Sequence, residues 1–263
     1  MYKLKGGKEL NTNYLENNHL VLVGKITSEK SFSHEVYGES FYNFNMEVPR
    51  LSDITDIVPV TVSERLLINM PIEIGKEIIV EGQFRSYNTY EDNRSRLVLT
   101  VFAKEIIERV VNSPEDEKIH VSNEVTLTGF LCKPAVYRKT PFGREIADIL
   151  LAVNRAYNKS DYIPCIAWGR NARFCNNLPV GSGVKIVGRI QSRNYVKTLE
   201  DGTQLHKTAY EVSIGSMQLV KEDGQTEEIP VDDQEVVELV SQNEVVENET
   251  IEVTEAVETV ENN

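Results

Sequence analysis

NHLVLVGKI at Asn18–Ile26 returns 105 positions later as NEVTLTGFL at Asn123–Leu131. Both begin with Asn, alternate apolar and polar residues, and reach a glycine at the seventh place. Working outward at the same offset, Gly38 meets Gly143, Arg50 meets Arg155 and Pro59 meets Pro164. After one residue of slippage, IGKEIIVEGQFRS (Ile74–Ser86) lies on VGSGVKIVGRIQS (Val180–Ser192). Matches in one order at one offset mark two copies of a single structural unit.

Each copy reads as β-rich. The period-two alternation of Val125, Leu127 and Gly129 predicts a half-buried first strand. FYNFNMEV and IADILLAVN predict second strands, and YIPCIAW a third. VKIVGRIQSRNYV predicts a long fourth strand, bent or bulged at Gly188. TAYEVSIGSMQL predicts a fifth. GRNARFCNNL predicts one short helix before Pro179, and SERLLINM its equivalent before Pro71. Five strands with a helix between the third and fourth is the order of an OB-fold barrel. The expectation is an all-β chain of two tandem five-stranded OB-fold barrels, each with one short helix, plus a disordered acidic C-terminal tail. The boundaries are an N-terminal arm at 1–14, a first OB fold at 15–109, a linker at 110–122, a second OB fold at 123–220 and the tail at 221–263.

The formal net charge of −13 over 263 residues conceals a partition. Residues 221–263 hold 15 acidic side chains and one lysine, a balance of −14. Residues 15–109 hold 10 basic and 15 acidic side chains, and residues 123–219 hold 13 and 7. The second copy is therefore a basic block between acidic ones. The tail is too charged to bury a core. The three cysteines, Cys132, Cys165 and Cys175, match no zinc spacing and no disulfide framework, and read as small buried residues. No Walker loop, nucleophile elbow or HExxH is present, so neither catalysis nor a cofactor or metal is expected. No apolar run approaches a membrane span and no leader pattern opens the chain, so no membrane association and a cytoplasmic, nucleoid-associated location are expected.

Gripping an unpaired nucleic-acid strand requires cations along the phosphates and flat side chains against the bases. The second copy interleaves the two. Arg155 precedes Tyr157 and Tyr162; Trp168 adjoins Arg170; Arg193 precedes Tyr195 and Lys197; Arg138 and Lys139 follow Tyr137 in a hairpin. Each residue alone fits ordinary packing or a solvated loop, and it is their combination at strand ends and loops that indicates binding.

The second copy resembles the bacterial single-stranded DNA-binding protein family. The pieces are NEVTLTGFLCKPAVYRKTPFGREIADILLAVNR, DYIPCIAWGRNA, GSGVKIVGRIQSRNY and YEVSIGSMQLV. They fit the family's N-x-V-x-L-x-G-x-L-x-x-P, A-V-N-R, A-W/F-G-K/R-x-A and G-S-x-V-x-V-x-G-R-x-Q-S/T-R. The resemblance implies sequence-independent binding and protection of single-stranded DNA in replication, recombination and repair. It implies stacking positions at Tyr157, Tyr162, Trp168 and Tyr195, where the family often has Trp at the first, second and fourth. At the repeat offsets the first copy has Ser52, Ile57, Ser63 and Thr89 instead, which points to a degenerate fold serving assembly, positioning or a protein partner. Family tails dock replication and repair proteins through a terminal Asp-Asp-(Ile/Leu)-Pro-Phe, whereas this sequence has EEIPVDD at Glu227–Asp233 and reads VETVENN at its last residues. Two copies per chain imply a homodimer presenting four OB folds. A primosome-type adaptor that mainly binds proteins is the alternative class, and RNA is the alternative ligand.

Overall fold

The computed structural model describes residues 17–50, 54–91, 94–109, 123–198, 203–221 and 226–228. The expected arm at 1–14, the linker at 110–122 and the tail beyond 228 lie outside the described residues.

The first half contains β1 (Asn18–Ile26), β2 (Ser31–Val36), β3 (Glu39–Pro49), β4 (Thr55–Ser63), α1 (Glu64–Leu67), β5 (Glu77–Glu91) and β6 (Arg94–Glu108). The second half contains β7 (Asn123–Leu131), β8 (Val136–Lys139), β9 (Glu145–Arg155), β10 (Lys159–Trp168), α2 (Gly169–Asn176), β11 (Gly183–Thr198), β12 (Gln204–Val220) and β13 (Thr226–Glu228). In the first half β1 pairs with β5, β5 with β6, β6 with β4, β4 with β3, and β3 returns to β1. That ring is a closed five-stranded barrel. The second half closes identically through β7, β11, β12, β10 and β9. In each ring only the pair of third and fifth strands is parallel.

The repeated glycines close the rings. At Gly24 a Cβ would run into the Glu47 carbonyl, and at its equivalent Gly129 into the Ala152 carbonyl. Only a residue without a Cβ lets the first and second strands approach so closely. Gly188 sits at the bulge between Val187 and Gly188, where β11 slips against β12. Gly82 occupies the same bulge in the first half. Inside each ring alternate side chains fill the core: Leu20, Leu22, Phe44, Met46, Val60 and Phe84 in one, Leu127, Leu151, Ile163, Ile186, Ile190 and Val212 in the other.

Four elements differ from the sequence expectation. Short strands β2 and β8 extend β3 and β9 as hairpin ribbons. β2 is largely exposed and β8 has no fully buried residue, so the in–out alternation that announces a strand is missing. The first-half helix is a single turn, capped by the Ser63 side chain accepting the Arg65 N–H. Residues 226–228, placed by the sequence in an unstructured tail, pair as β13 with Gln218–Val220.

The two barrels join edge to edge. β1 runs antiparallel to β7, with Leu20 opposite Val125, Asn18 opposite Leu127 and Leu22 opposite Asn123. At the repeat offset of 105 this register maps onto itself, as a two-fold axis through the Leu20–Val125 pair requires. The contacts flanking it are reciprocal. Asp56, wholly buried, accepts the Ser192 N–H at 2.6 Å and the Ser192 hydroxyl at 2.9 Å. Its equivalent Asp161, also wholly buried, accepts the Ser86 N–H at 2.8 Å. Each carboxylate is neutralised within its own barrel: Arg50 donates bidentately to Asp56 at 2.8 Å, and Arg155 donates to Asp161 at 3.2 Å. One chain thus contains a pseudo-dimer.

Removing one partner of a buried ion pair strands the other charge, at a cost of about 3–5 kcal/mol. Asp56→Ala is therefore expected to lower unfolding stability in urea by about that amount, while Ser192→Ala removes a single hydroxyl and costs about 1 kcal/mol.

Candidate nucleic-acid interface

Strand alternation decides which residues share the outer face of the second barrel. On β10, Asp161, Ile163, Cys165 and Ala167 point inward and are buried. Tyr162, Pro164, Ile166 and Trp168 therefore point outward. Six residues separate Tyr162 from Trp168, about 20 Å along the strand. On β11, Ile186 and Ile190 point inward, so Arg189, Gln191, Arg193 and Tyr195 share the outer side. β12 lies between β10 and β11 and contributes Ser213, Glu211 and Lys207 to this face. The sheet thus gathers Tyr162, Trp168 and Tyr195 on one surface.

Trp168 ends β10 and immediately precedes α2. Its indole N–H donates to the Ser213 hydroxyl at 3.1 Å, and Ile146 of β9 lies directly opposite it. These contacts fix the ring plane while leaving the side chain partly exposed. Tyr157 stands in the tight turn Ala156–Asn158 between β9 and β10, 94% exposed. Its φ of 61° lies in the left-handed region, which is uncommon without glycine. A strained backbone presenting an unpacked ring to solvent is a feature that packing does not explain.

The predicted cations divide. Arg155 is tied to Asp161 at the junction of the barrels. Arg138 donates to Asp148 at 2.9 Å, and Lys139 lies 3.7 Å from Glu145. Glu145 also accepts the Tyr137 hydroxyl at 2.6 Å and pairs with Arg173. The tyrosine bond, ahead of the Arg173 and Lys139 charges, holds the Glu145 carboxyl below its usual range. Arg193 lies 3.8 Å from Glu211, and its Nη1 is buried without a hydrogen bond among the described residues. Arg170, in the first turn of α2, has no carboxylate partner among the described residues. The side chain of Lys197 lies outside the described residues. Sequence spacing missed that Arg155 has a structural partner, because Asp161 comes close only once the β9–β10 hairpin forms.

It also missed a groove. An open cleft of about 680 Å³ runs between the barrels, lined by Arg85 and Lys104 of the first and Arg155, Tyr157 and Lys159 of the second. These residues come from distant parts of the chain, so no local motif announces them. Among the described residues no group of three or more His, Cys, Asp or Glu side chains gathers as a metal site, and no helix is long and apolar enough to cross a membrane.

The fold and this face define a protein built of two OB-type barrels joined as a pseudo-dimer, with an aromatic surface on the second. Residues 122–220 match the model of the Single-strand binding protein family. It is 42% identical over 80 residues to Single-stranded DNA-binding protein 1 of Staphylococcus aureus, covering 28% of this chain and 48% of that protein. It is 37% identical over 106 residues to Single-stranded DNA-binding protein 2 of Listeria innocua, covering 38% and 64%. The chain thus spans roughly half to two thirds of the curated relatives it matches. The fold as a whole is similar to the wild-type single-stranded DNA binding protein from Thermus aquaticus, with a TM-score of 0.62 at 18% identity, covering 82% of this chain and 98% of that one.

Burial separates the cysteines. It pushes the Cys175 thiol up to about 12 and the fully buried Cys165 thiol well above its ordinary value. Cys132 is half-buried and raised as well, by the same cause. A thiolate-directed reagent at about pH 8 is expected to modify Cys132 in the native protein, and Cys165 and Cys175 only after unfolding. Quantifying released chromophore with and without denaturant checks this.

Proposed function

We propose that this chain binds single-stranded DNA without sequence preference and protects it during replication, recombination and repair. The observation that carries the reading is the gathering of Tyr162, Trp168 and Tyr195 on one outer face of the barrel that matches the single-strand binding family model. Bases stack on these rings and on Tyr157, at roughly 1–3 kcal/mol per base. Arg170, Lys159 and Lys197, with the partly engaged Arg155, Arg193, Arg138 and Lys139, neutralise phosphates. Ion pairs on this surface do not exclude that role, since a phosphate competes with the carboxylate for the same guanidinium. Strands held apart in this way neither fold into hairpins nor present themselves to nucleases.

The domain division follows: a first OB fold at 15–109, a binding OB fold at 123–220, and an acidic tail that competes for the basic surface and recruits replication or repair proteins. Pairing of two chains would present four OB folds, the assembly the family resemblance implies. Such a protein works wherever the cell's DNA is opened, in the nucleoid.

Trp168→Ala is expected to weaken oligo(dT) binding by roughly 1–3 kcal/mol in a folded variant. Anisotropy titration reads this directly, and unchanged affinity would remove Trp168 from the interface. The wild-type affinity should fall linearly with salt on a log–log plot, at about −0.7 per phosphate neutralised. An adaptor that binds mainly proteins would instead retain its partners after nuclease treatment and bind oligo(dT) poorly.

A further inference from the structure

The first barrel has no ring at the positions equivalent to Tyr162 and Trp168, yet its outer face is aromatic. Ser63, the equivalent of Trp168, stands directly opposite Phe41. Trp168 stands opposite Ile146 and is hydrogen-bonded to Ser213. By the two registers, Phe41 occupies the place of Ile146. Phe102 occupies the place of Ser213, since Gln83 pairs with Phe102 as Arg189 pairs with Ser213. The two neighbours that cradle Trp168 in the second barrel are thus themselves aromatic in the first. Their rings lie 5.7 Å apart, and His34 stacks on Phe41 at 4.8 Å with planes 7° apart. Phe41 and Phe102 are half-buried and His34 is exposed. The flat surface has moved by one strand to either side, and Ser63 has made room for it.

Charge leads from the second barrel to this surface. The Arg85 guanidinium lies over the Phe102 ring, 5.3 Å from its centroid, and also lines the groove with Lys104, Arg155, Tyr157 and Lys159. The pseudo-symmetry is broken here. On one side of the junction Arg50 and Asp56 neutralise each other, and the Arg85 equivalent is Gln191, bonded to Glu211 at 2.7 Å. On the other side two guanidiniums share one carboxylate: Arg155 lies 3.2 Å from Asp161, and Arg85 lies 3.9 Å from it. Burial and the Arg155 charge both disfavour the charged Arg85, and Asp161 only partly offsets them. An anion entering the groove relieves that repulsion. Glu39, the carboxylate beside Ser63, is taken up by Arg65 at 3.0 Å and by the Ser63 hydroxyl.

We infer that a single strand of DNA leaving Tyr157 crosses the groove between the barrels, its phosphates on Arg85, Arg155 and Lys159, and stacks bases on a second platform formed by Phe41 and Phe102. This rests on the proposed function of the second barrel and extends it to the first, in place of the assembly role that the sequence offsets suggest.

Two substitutions install what the second barrel carries at the same places, and so preserve the fold: Phe102→Ser and Arg85→Gln. The full chain is titrated with labelled oligo(dT) of about 8 and about 30 nucleotides, one within and one above the span of a single OB fold, roughly 4–16 nucleotides. Each variant should bind the longer oligomer about fivefold or more weakly and the shorter one unchanged. Arg85→Gln should also flatten the salt dependence of the longer oligomer by about 0.7. Trp168→Ala should weaken both oligomers. Wild-type affinity for the longer oligomer in both variants overturns the inference, as does equal weakening of both oligomers, which would place the effect in the second barrel. Failure of the wild-type chain to bind either oligomer would remove the proposed function itself, and this path with it.

Discussion

Asp56 and Asp161 have no access to solvent, yet each accepts a backbone N–H from a serine of the other barrel. A carboxylate in such a place is tolerated only when its charge is compensated and its lone pairs are used. Arg50 and Arg155 supply the compensation from inside the same barrel. Ser192 donates its N–H and hydroxyl to Asp56 and Ser86 donates its N–H to Asp161 from across the junction, while Asp161 Oδ2 stays buried without a hydrogen bond among the described residues. The β1–β7 ladder sets the distance, and the carboxylates set the angle. Together they turn two repeats into one body whose outer faces and intervening groove hold a fixed relation.

That body has near two-fold symmetry in its backbone and not in its surfaces. The second barrel carries its rings on β10, in the hairpin turn before it and on β11. The first carries Phe41 and Phe102 on the strands to either side of β4. The charge is uneven as well, since the groove under Tyr157 has two guanidiniums per carboxylate where the opposite junction has one. Duplicated scaffolds keep what closes the barrel, the glycines at strand crossings and the aspartates at the junction. The outer face is freer to change, because most of its side chains are only partly buried.

Much of the fold was legible in the sequence for that reason. Gly24, Gly82, Gly129 and Gly188 repeat because a Cβ at each would meet a backbone carbonyl, and they fixed the register of the repeat. Strands buried on one face announced themselves by alternation, whereas β2 and β8, with no fully buried residue, did not. Arg50 and Arg155 repeated, as did Ser86 and Ser192, but nothing local shows that the aspartates between them reach across the junction. The aromatic positions of the second barrel followed from their interleaving with Arg and Lys and from the family resemblance. The Phe41–Phe102 pair did not, because comparing equivalent positions asks only whether a ring stands where Trp168 stands. A ring supplied from a neighbouring strand is invisible to that question. The groove was unreadable for the same reason, its lining residues being gathered from five strands and a turn.

The central claim is that DNA lies across the outer face of the second barrel, against Trp168. The chain contains one tryptophan, so its emission reports on that place alone. Titration of the wild-type protein with oligo(dT), followed in parallel by tryptophan emission and by anisotropy of a labelled oligomer, tests the claim directly. The account predicts saturable quenching whose midpoint coincides with the anisotropy midpoint and moves with it as salt is raised. Binding seen by anisotropy with tryptophan emission unchanged would contradict it.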